Sequence, residues 1–139
     1  MARRKTETRA RSRALQALYA WDLRGERDLE RVATRVFEDL AVAPDVRRMA
    51  SVLIHVIAGR HTEFDRALAE VTENWRMERL GAIERSVLRL AAAELAIGET
   101  PPRVVLQEAI RLAERYGSEQ SARFVNGVLD ALARRMGRL

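Results

Sequence analysis

Apolar residues recur at intervals of three and four along nearly the whole chain, and this spacing constrains the fold more than any other feature. It is the pattern of helices that bury one face. Six stretches carry it, over residues 14–21, 29–40, 49–71, 83–95, 105–113 and 125–132. We find no stretch that alternates apolar and polar residues as a half-buried strand does. The sequence therefore predicts an all-α protein.

Helix boundary signals separate these stretches. Asp28 is placed as an N-cap, and Pro101-Pro102 fits the first turn of a helix, where a missing N–H costs nothing. Gly117 followed by Ser118 predicts the end of one helix and the N-cap of the next. Gly127 falls inside the last helix, where we expect close approach of a neighbouring helix to offset its poor helix propensity.

Composition excludes several classes of protein. The 139 residues correspond to one domain, contain no cysteine, and include no apolar run long enough to span a bilayer. The charged N-terminus does not resemble a secretory signal, so we expect a cytoplasmic protein without membrane contact. Two histidines six residues apart do not share a helix face, and no phosphate-binding loop or nucleophile motif is found. We expect no metal, no cofactor and no catalytic residues.

Positive charge is concentrated at the N-terminus. The first thirteen residues hold six basic side chains and one acidic side chain, so their net charge equals the +5 of the whole chain. A helical wheel places Ala14, Ala17, Leu18 and Trp21 on a core face. It places the polar and aromatic side chains of Arg9, Ser12, Arg13, Gln16 and Tyr19 on the opposite face.

A helix face that combines guanidinium groups with an aromatic ring is typical of single-strand nucleic-acid binding. The cations bind phosphates and the ring stacks on a base. Two other interpretations stay open from charge and periodicity alone. The face could contact an acidic protein, or it could be an inert surface in water.

Three stretches resemble the NusB family of bacterial transcription antitermination and ribosomal RNA processing factors. They are RARSRALQALYAWD near the N-terminus, ENWRMERLGAIERSVLRLAAAEL in the centre, and PPRVVLQEAIRLAERYGSEQSARFVNGVLDALAR at the C-terminus. Their order fits the family, and together they span essentially the whole chain. Gln107 and Gln120 stand where an asparagine and an acidic residue are common.

The resemblance implies a single compact domain of six or seven helices in two packed sub-bundles. A basic N-terminal arm over residues 1–8 would precede a helical domain over residues 9–139. It also implies binding of boxA-like single-stranded RNA in ribosomal RNA leader transcripts, together with the small-subunit ribosomal protein NusE. Other Nus factors and RNA polymerase would complete a larger complex, and whether the free protein forms a homodimer is left open.

The resemblance assigns RNA contact to a set of basic, polar and aromatic residues: Arg3, Arg4, Lys5, Arg9, Arg11, Arg13, Gln16, Tyr19 and Phe124. It assigns contact with the NusE-like partner to Glu78, Glu84 and Pro102. A similar helical domain precedes the catalytic domain of some ribosomal RNA cytosine methyltransferases. Because the sequence ends at Leu139 without a cofactor-binding region, we expect a stand-alone factor. A helical adaptor that binds an acidic protein is the other alternative.

Overall fold

Six α-helices account for most of the chain in the computed structural model, which describes residues 2–25, 28–72 and 80–139. They are α1 (Ala2–Arg24), α2 (Leu29–Asp39), α3 (Pro44–Glu70), α4 (Ala82–Ile97), α5 (Pro102–Tyr116) and α6 (Glu119–Arg135). No strand occurs in these ranges. The all-α prediction is confirmed. No helix of the described residues is long and apolar enough to cross a membrane.

The predicted helix boundaries are confirmed where the caps can be inspected. The Asp28 carboxylate accepts a hydrogen bond from the backbone N–H of Arg31 at 3.1 Å. Ser118 Oγ accepts one from the N–H of Ser121, also at 3.1 Å. Each cap satisfies an N–H that has no partner within its own helix. Pro102 is the first residue of α5, as its lack of an N–H favours.

The basic N-terminal segment is helical. Because α1 begins at Ala2, residues 2–8 form its first two turns and run without a break into the rest of the helix. The boundary that the sequence suggests after residue 8 therefore does not coincide with a change in secondary structure. The Arg4 and Lys5 side chains therefore project from a helix.

The helices divide into two units, over residues 1–59 and 60–139, and the division falls within α3. In the first unit α1 packs against α2. Its core consists mainly of small and branched apolar side chains that are at most 5% exposed: Ala10, Ala14, Leu15, Ala17, Leu18, Leu29, Val32, Ala33, Phe37, Val46, Ala50, Ile54 and Ile57. The core face predicted for α1 is thus buried, apart from Trp21, which is half-buried.

In the second unit α4 is the central helix. Ten consecutive residues, from Ser86 to Leu95, are buried, so this helix is covered on every side. Both α5 and α6 pack against it and against each other. The chain end adds to this packing: Arg138 Nη1 donates to the carbonyl of Leu95 at 2.6 Å, and Arg135 Nη2 pairs with Glu70 Oε2 at 3.0 Å. These arginines bind at the C-terminal ends of α4 and α3, where carbonyls lack helical partners.

An ion pair between the buried Arg89 and the half-buried Asp65 joins α3 and α4 within the second unit. Arg89, whose side chain is 10% exposed, donates to both carboxylate oxygens of Asp65, at 2.9 and 3.0 Å. The two parallel hydrogen bonds match the fork of the guanidinium to the carboxylate. Since a guanidinium cannot lose its charge inside a protein, this pairing is what makes its burial tolerable.

Gly117 ends α5 as predicted, whereas the expectation for Gly127 is not met. Gly117 ends α5 at φ −119°, outside the left-handed region, but a Cβ there would lie 2.8 Å from the carbonyl oxygen of Ala113. Close approach, not a positive φ, requires this glycine. The expectation that a neighbouring helix approaches Gly127 closely is wrong. Gly127 is exposed, and outside the backbone of α6 itself no atom of the described residues lies within 4 Å of a Cβ built there. Packing therefore does not offset its cost of about 1 kcal/mol relative to alanine.

We predict that Asp65→Asn destabilises the protein by about 3 kcal/mol, because it removes the carboxylate charge that is paired with the buried guanidinium of Arg89. Urea unfolding of the variant and the parent measures the difference. Asp130→Asn is the matched control, since the Asp130–Arg134 pair at 2.9 Å is exposed and joins adjacent turns of α6. Its loss is expected to cost less than about 0.5 kcal/mol. Equal costs for the two variants would contradict a structural role for the buried pair.

Candidate nucleic-acid interface

Six side chains form a continuous band along α1, which we call the α1 stripe: Lys5, Arg9, Ser12, Gln16, Tyr19 and Leu23. Their spacing alternates between four and three residues, which holds all six within an arc of about 80° on the helix. Lys5, Arg9, Tyr19 and Leu23 are exposed, and Ser12 and Gln16 are half-buried. The polar face predicted from the helical wheel is therefore on the surface of the first unit.

The two halves of the α1 stripe differ in chemistry. Its N-terminal half carries Lys5 and Arg9, with Arg4 exposed beside them. Its C-terminal half carries Tyr19, which is 38% exposed, and Leu23, which is 61% exposed. A single surface therefore offers cations at one end and apolar area at the other.

The middle of the stripe is held by a side-chain hydrogen bond. Arg13 Nη1 donates to Gln16 Oε1 at 2.9 Å, one helical turn away. This bond fixes the Gln16 amide with its oxygen engaged, so its NH₂ group remains available as a donor. Arg13 keeps further N–H groups, because a guanidinium carries five.

The N-terminal end of α1 is strongly positive. Its first turn contains no acidic residue, and its backbone N–H groups add the positive pole of the helix dipole to the side-chain charges. Cations at this end repel the dipole and destabilise the free helix slightly, whereas an anion bound here is attracted by both. The side chain of Arg3 lies outside the described residues.

Arg11 does not belong to this surface. It is 5% exposed, so the expectation that it contacts RNA is not supported. The physical reason is its helical phase: Arg11 lies only about 60° from the core residue Ala14, whereas Arg9 and Arg13 project on the other side. Charge alone could not separate these arginines, but the helical wheel could have done so.

Sequence reasoning missed Leu23 as a surface feature. It follows Tyr19 by four residues and so continues the stripe by one turn. Extending the helical wheel beyond Tyr19 would have found it. An exposed leucine beside an exposed tyrosine enlarges the apolar end of the α1 stripe.

Phe124 belongs to the second unit, in α6. It is half-buried between the exposed Arg123 and the fully buried Val125. This position at the edge of the core face agrees with its helical phase. The residue is therefore partly accessible to solvent.

The residues assigned to a protein partner have different surroundings. Glu84 is half-buried, and its Oε1 accepts a hydrogen bond from Ser121 Oγ at 3.2 Å, which ties α4 to α6. Its carboxylate also folds back over Gly81 at the start of α4. Pro102 is half-buried at the start of α5. Glu78 lies outside the described residues.

The histidines show no sign of a metal centre. His55 Nδ1 lies 2.5 Å from Glu30 Oε1 in an exposed pair between α3 and α2. Within residues 2–25, 28–72 and 80–139, no group of three or more metal-ligating side chains is close enough to hold an ion.

The chain is similar in sequence to a known family and to its members. The family model of the NusB family matches residues 8–134. The chain is 42% identical over 127 residues to the transcription antitermination protein NusB of Anaeromyxobacter dehalogenans strain 2CP-1, covering 91% of this chain and 89% of the relative. It is 39% identical over 136 residues to the protein of the same name from Koribacter versatilis, covering 95% and 92% of the two chains.

Solved structures agree in both fold and sequence. NusB of T. maritima superposes with a TM-score of 0.84 at 33% identity, covering 92% of this chain and 90% of that one. A chain in the crystal structure of the antitermination factors NusB and NusE with double-stranded RNA gives a TM-score of 0.86 at 31% identity, covering 94% and 98%. Matches of this extent to the family model, to relatives and to solved folds have one explanation: the chain belongs to the NusB family.

Proposed function

We propose that this chain is an RNA-binding transcription antitermination factor without enzymatic activity. With the ribosomal protein NusE it binds boxA-like single-stranded RNA in ribosomal RNA leader transcripts and so supports processive elongation. The observation that carries the proposal is the α1 stripe, which aligns exposed cations and an exposed aromatic ring on one helix face.

The chemistry of the stripe suits a single strand. Arg4, Lys5 and Arg9 neutralise phosphates next to the positive end of α1, and Arg13 adds donors in the middle. Tyr19 offers a ring on which an unstacked base can lie. A duplex hides the faces of its bases, so a ring in this position gains most from a single strand.

The partner assignment is supported by a relative. A NusB chain with 31% identity to this one has been crystallised with NusE and double-stranded RNA. We assign the NusE-like protein to the surface of the second unit that includes Glu84 and Pro102, with Glu78 as a further contact. Acidic residues suit a basic ribosomal protein. Further Nus factors and RNA polymerase would join this complex in the cytoplasm, where transcripts are made.

We predict that RNA and the NusE-like partner bind synergistically. The basic end of the stripe supplies charge that is indifferent to sequence, whereas a partner extends the surface that contacts bases. Titrations of boxA-like and scrambled RNA, each with and without partner, measure the effect. The gain in affinity on adding partner is expected to be larger for boxA-like RNA. Equal gains for both RNAs would show that the partner adds only charge.

We predict that Arg9→Ala reduces the salt dependence of RNA binding. Loss of one phosphate contact lowers the slope of log affinity against log salt by about 0.7 for a single strand. Arg31→Ala is the matched control, because Arg31 is exposed on α2 of the same unit but lies off the stripe. It is expected to leave the slope near that of the parent. The same slope for Arg9→Ala and the parent would remove Arg9 from the phosphate contacts.

We predict that Tyr19→Ala weakens RNA binding by about 1–3 kcal/mol through lost base stacking. The salt slope is expected to stay unchanged, because no phosphate contact is removed. Tyr19→Phe keeps the ring and is expected to bind like the parent. Each titration is preceded by a melting curve to show that the variant is folded. Normal RNA affinity of folded Tyr19→Ala would rule out the stacking role.

A further inference from the structure

Gln16 occupies the middle of the α1 stripe, between its cationic end and its apolar end. It lies three residues after Arg13 and three residues before Tyr19, so both are its neighbours on the surface of the helix. On the helical wheel these two neighbours lie about 60° to either side of Gln16. Gln16 therefore has a guanidinium on one side and an aromatic ring on the other.

The guanidinium determines which way the Gln16 amide faces. Arg13 Nη1 donates to Gln16 Oε1 at 2.9 Å, and both side chains are half-buried. A hydrogen bond from a charged donor is roughly twice as strong as a neutral one. If the amide were turned over, its NH₂ group would face a guanidinium, which has donors and no acceptor. The bond therefore holds the amide oxygen on the Arg13 side.

The NH₂ group of Gln16 is left for a ligand. It projects from the amide away from the engaged oxygen, toward the side on which Tyr19 lies. Within the ranges that the structure describes, Gln16 has no other side-chain hydrogen bond. A glutamine whose amide rotates freely can present either a donor or an acceptor to a ligand. With Arg13 bound, Gln16 presents a donor on the Tyr19 side.

A base stacked on Tyr19 brings one of its edges toward this donor. In single strands, aromatic side chains hold the faces of unstacked bases while hydrogen bonds read their edges. Uracil O4 and guanine O6 are acceptors, whereas cytosine and adenine carry an NH₂ donor in the corresponding place. A protein donor therefore bonds to the keto group of uracil or guanine, and it faces a second donor on cytosine or adenine.

We propose that Arg13 is a positioning residue that makes Gln16 select a keto base, uracil or guanine, at the nucleotide stacked on Tyr19. This inference rests on the proposed RNA-binding function and adds base selectivity to it. Phosphate contacts along the rest of the stripe position the strand but carry no sequence information. The pair of Arg13 and Gln16 supplies direct readout of a base by α1 itself.

The test scans a boxA-like RNA one base at a time, with the NusE-like partner present. Each uracil is replaced by cytosine and each guanine by adenine, which keeps the ring size and exchanges a keto group for an amino group. For the parent we expect one position at which this exchange weakens binding about tenfold, as loss of one hydrogen bond implies. In Gln16→Ala the cost at that position is expected to fall below about threefold.

Replacement of Arg13 tests the positioning role. Arg13→Ala frees the Gln16 amide to rotate, so the cost of the exchange at the same position is expected to fall below about threefold. Arg9→Ala is the matched control, because it removes a guanidinium of the same stripe that is not the donor to Gln16. It is expected to weaken binding of all the RNAs by the same factor and to keep the tenfold cost.

A reversal of polarity gives a readout that a merely structural role would not change. Gln16→Glu keeps an oxygen for Arg13 and replaces the NH₂ donor with an acceptor. The preference at the selected position is expected to invert, so that cytosine or adenine binds better than uracil or guanine. A melting curve of each variant shows that it is folded.

Three results would overturn the proposal. They are a keto preference that persists in folded Gln16→Glu, a full tenfold cost in Arg13→Ala, and a scan in which no base preference depends on Gln16. If any of them occurs while Arg9→Ala lowers the salt slope as predicted, this inference fails and the proposed function stands. If the parent binds no RNA, with or without partner, both fail together.

Discussion

Burial of the alanine-rich face of α1 fixes the rotation of that helix, and the proposed binding surface depends on this rotation. Ala10, Ala14 and Ala17 are at most 1% exposed. Small side chains allow neighbouring helices to approach closely, so the buried face tolerates little rotation of α1. The opposite face is thereby defined, and Arg9, Gln16 and Tyr19 are presented together. Rotation by about one residue, or 100°, would bury part of this set.

The same constraint separates arginines that look equivalent in the sequence. Arg9, Arg11 and Arg13 alternate within a short basic run, yet Arg11 is buried, Arg13 is bound to Gln16, and Arg9 is exposed. A buried cation such as Arg11 contributes to the fold. An exposed cation such as Arg9 can exchange its bound water for a phosphate. Net charge therefore overstates the number of groups that can meet a ligand.

In the second unit, too, some polar and charged side chains are paired within the fold and others are exposed. Arg89 is buried against Asp65, and Glu84 accepts a hydrogen bond from Ser121, so these groups hold helices together. Arg123 and Asn126 remain unpaired within the described residues, next to a glycine that weakens α6.

The sequence by itself determined the helical class, the caps at Asp28 and Ser118, and the polar face that includes Arg9 and Tyr19, because periodicity and capping are local properties. The family resemblance added the C-terminal motif around Phe124. Only the tertiary structure showed that Glu84 is bound to Ser121 and that Arg89 is buried against Asp65. These facts depend on how helices distant in sequence pack, which local spacing does not encode.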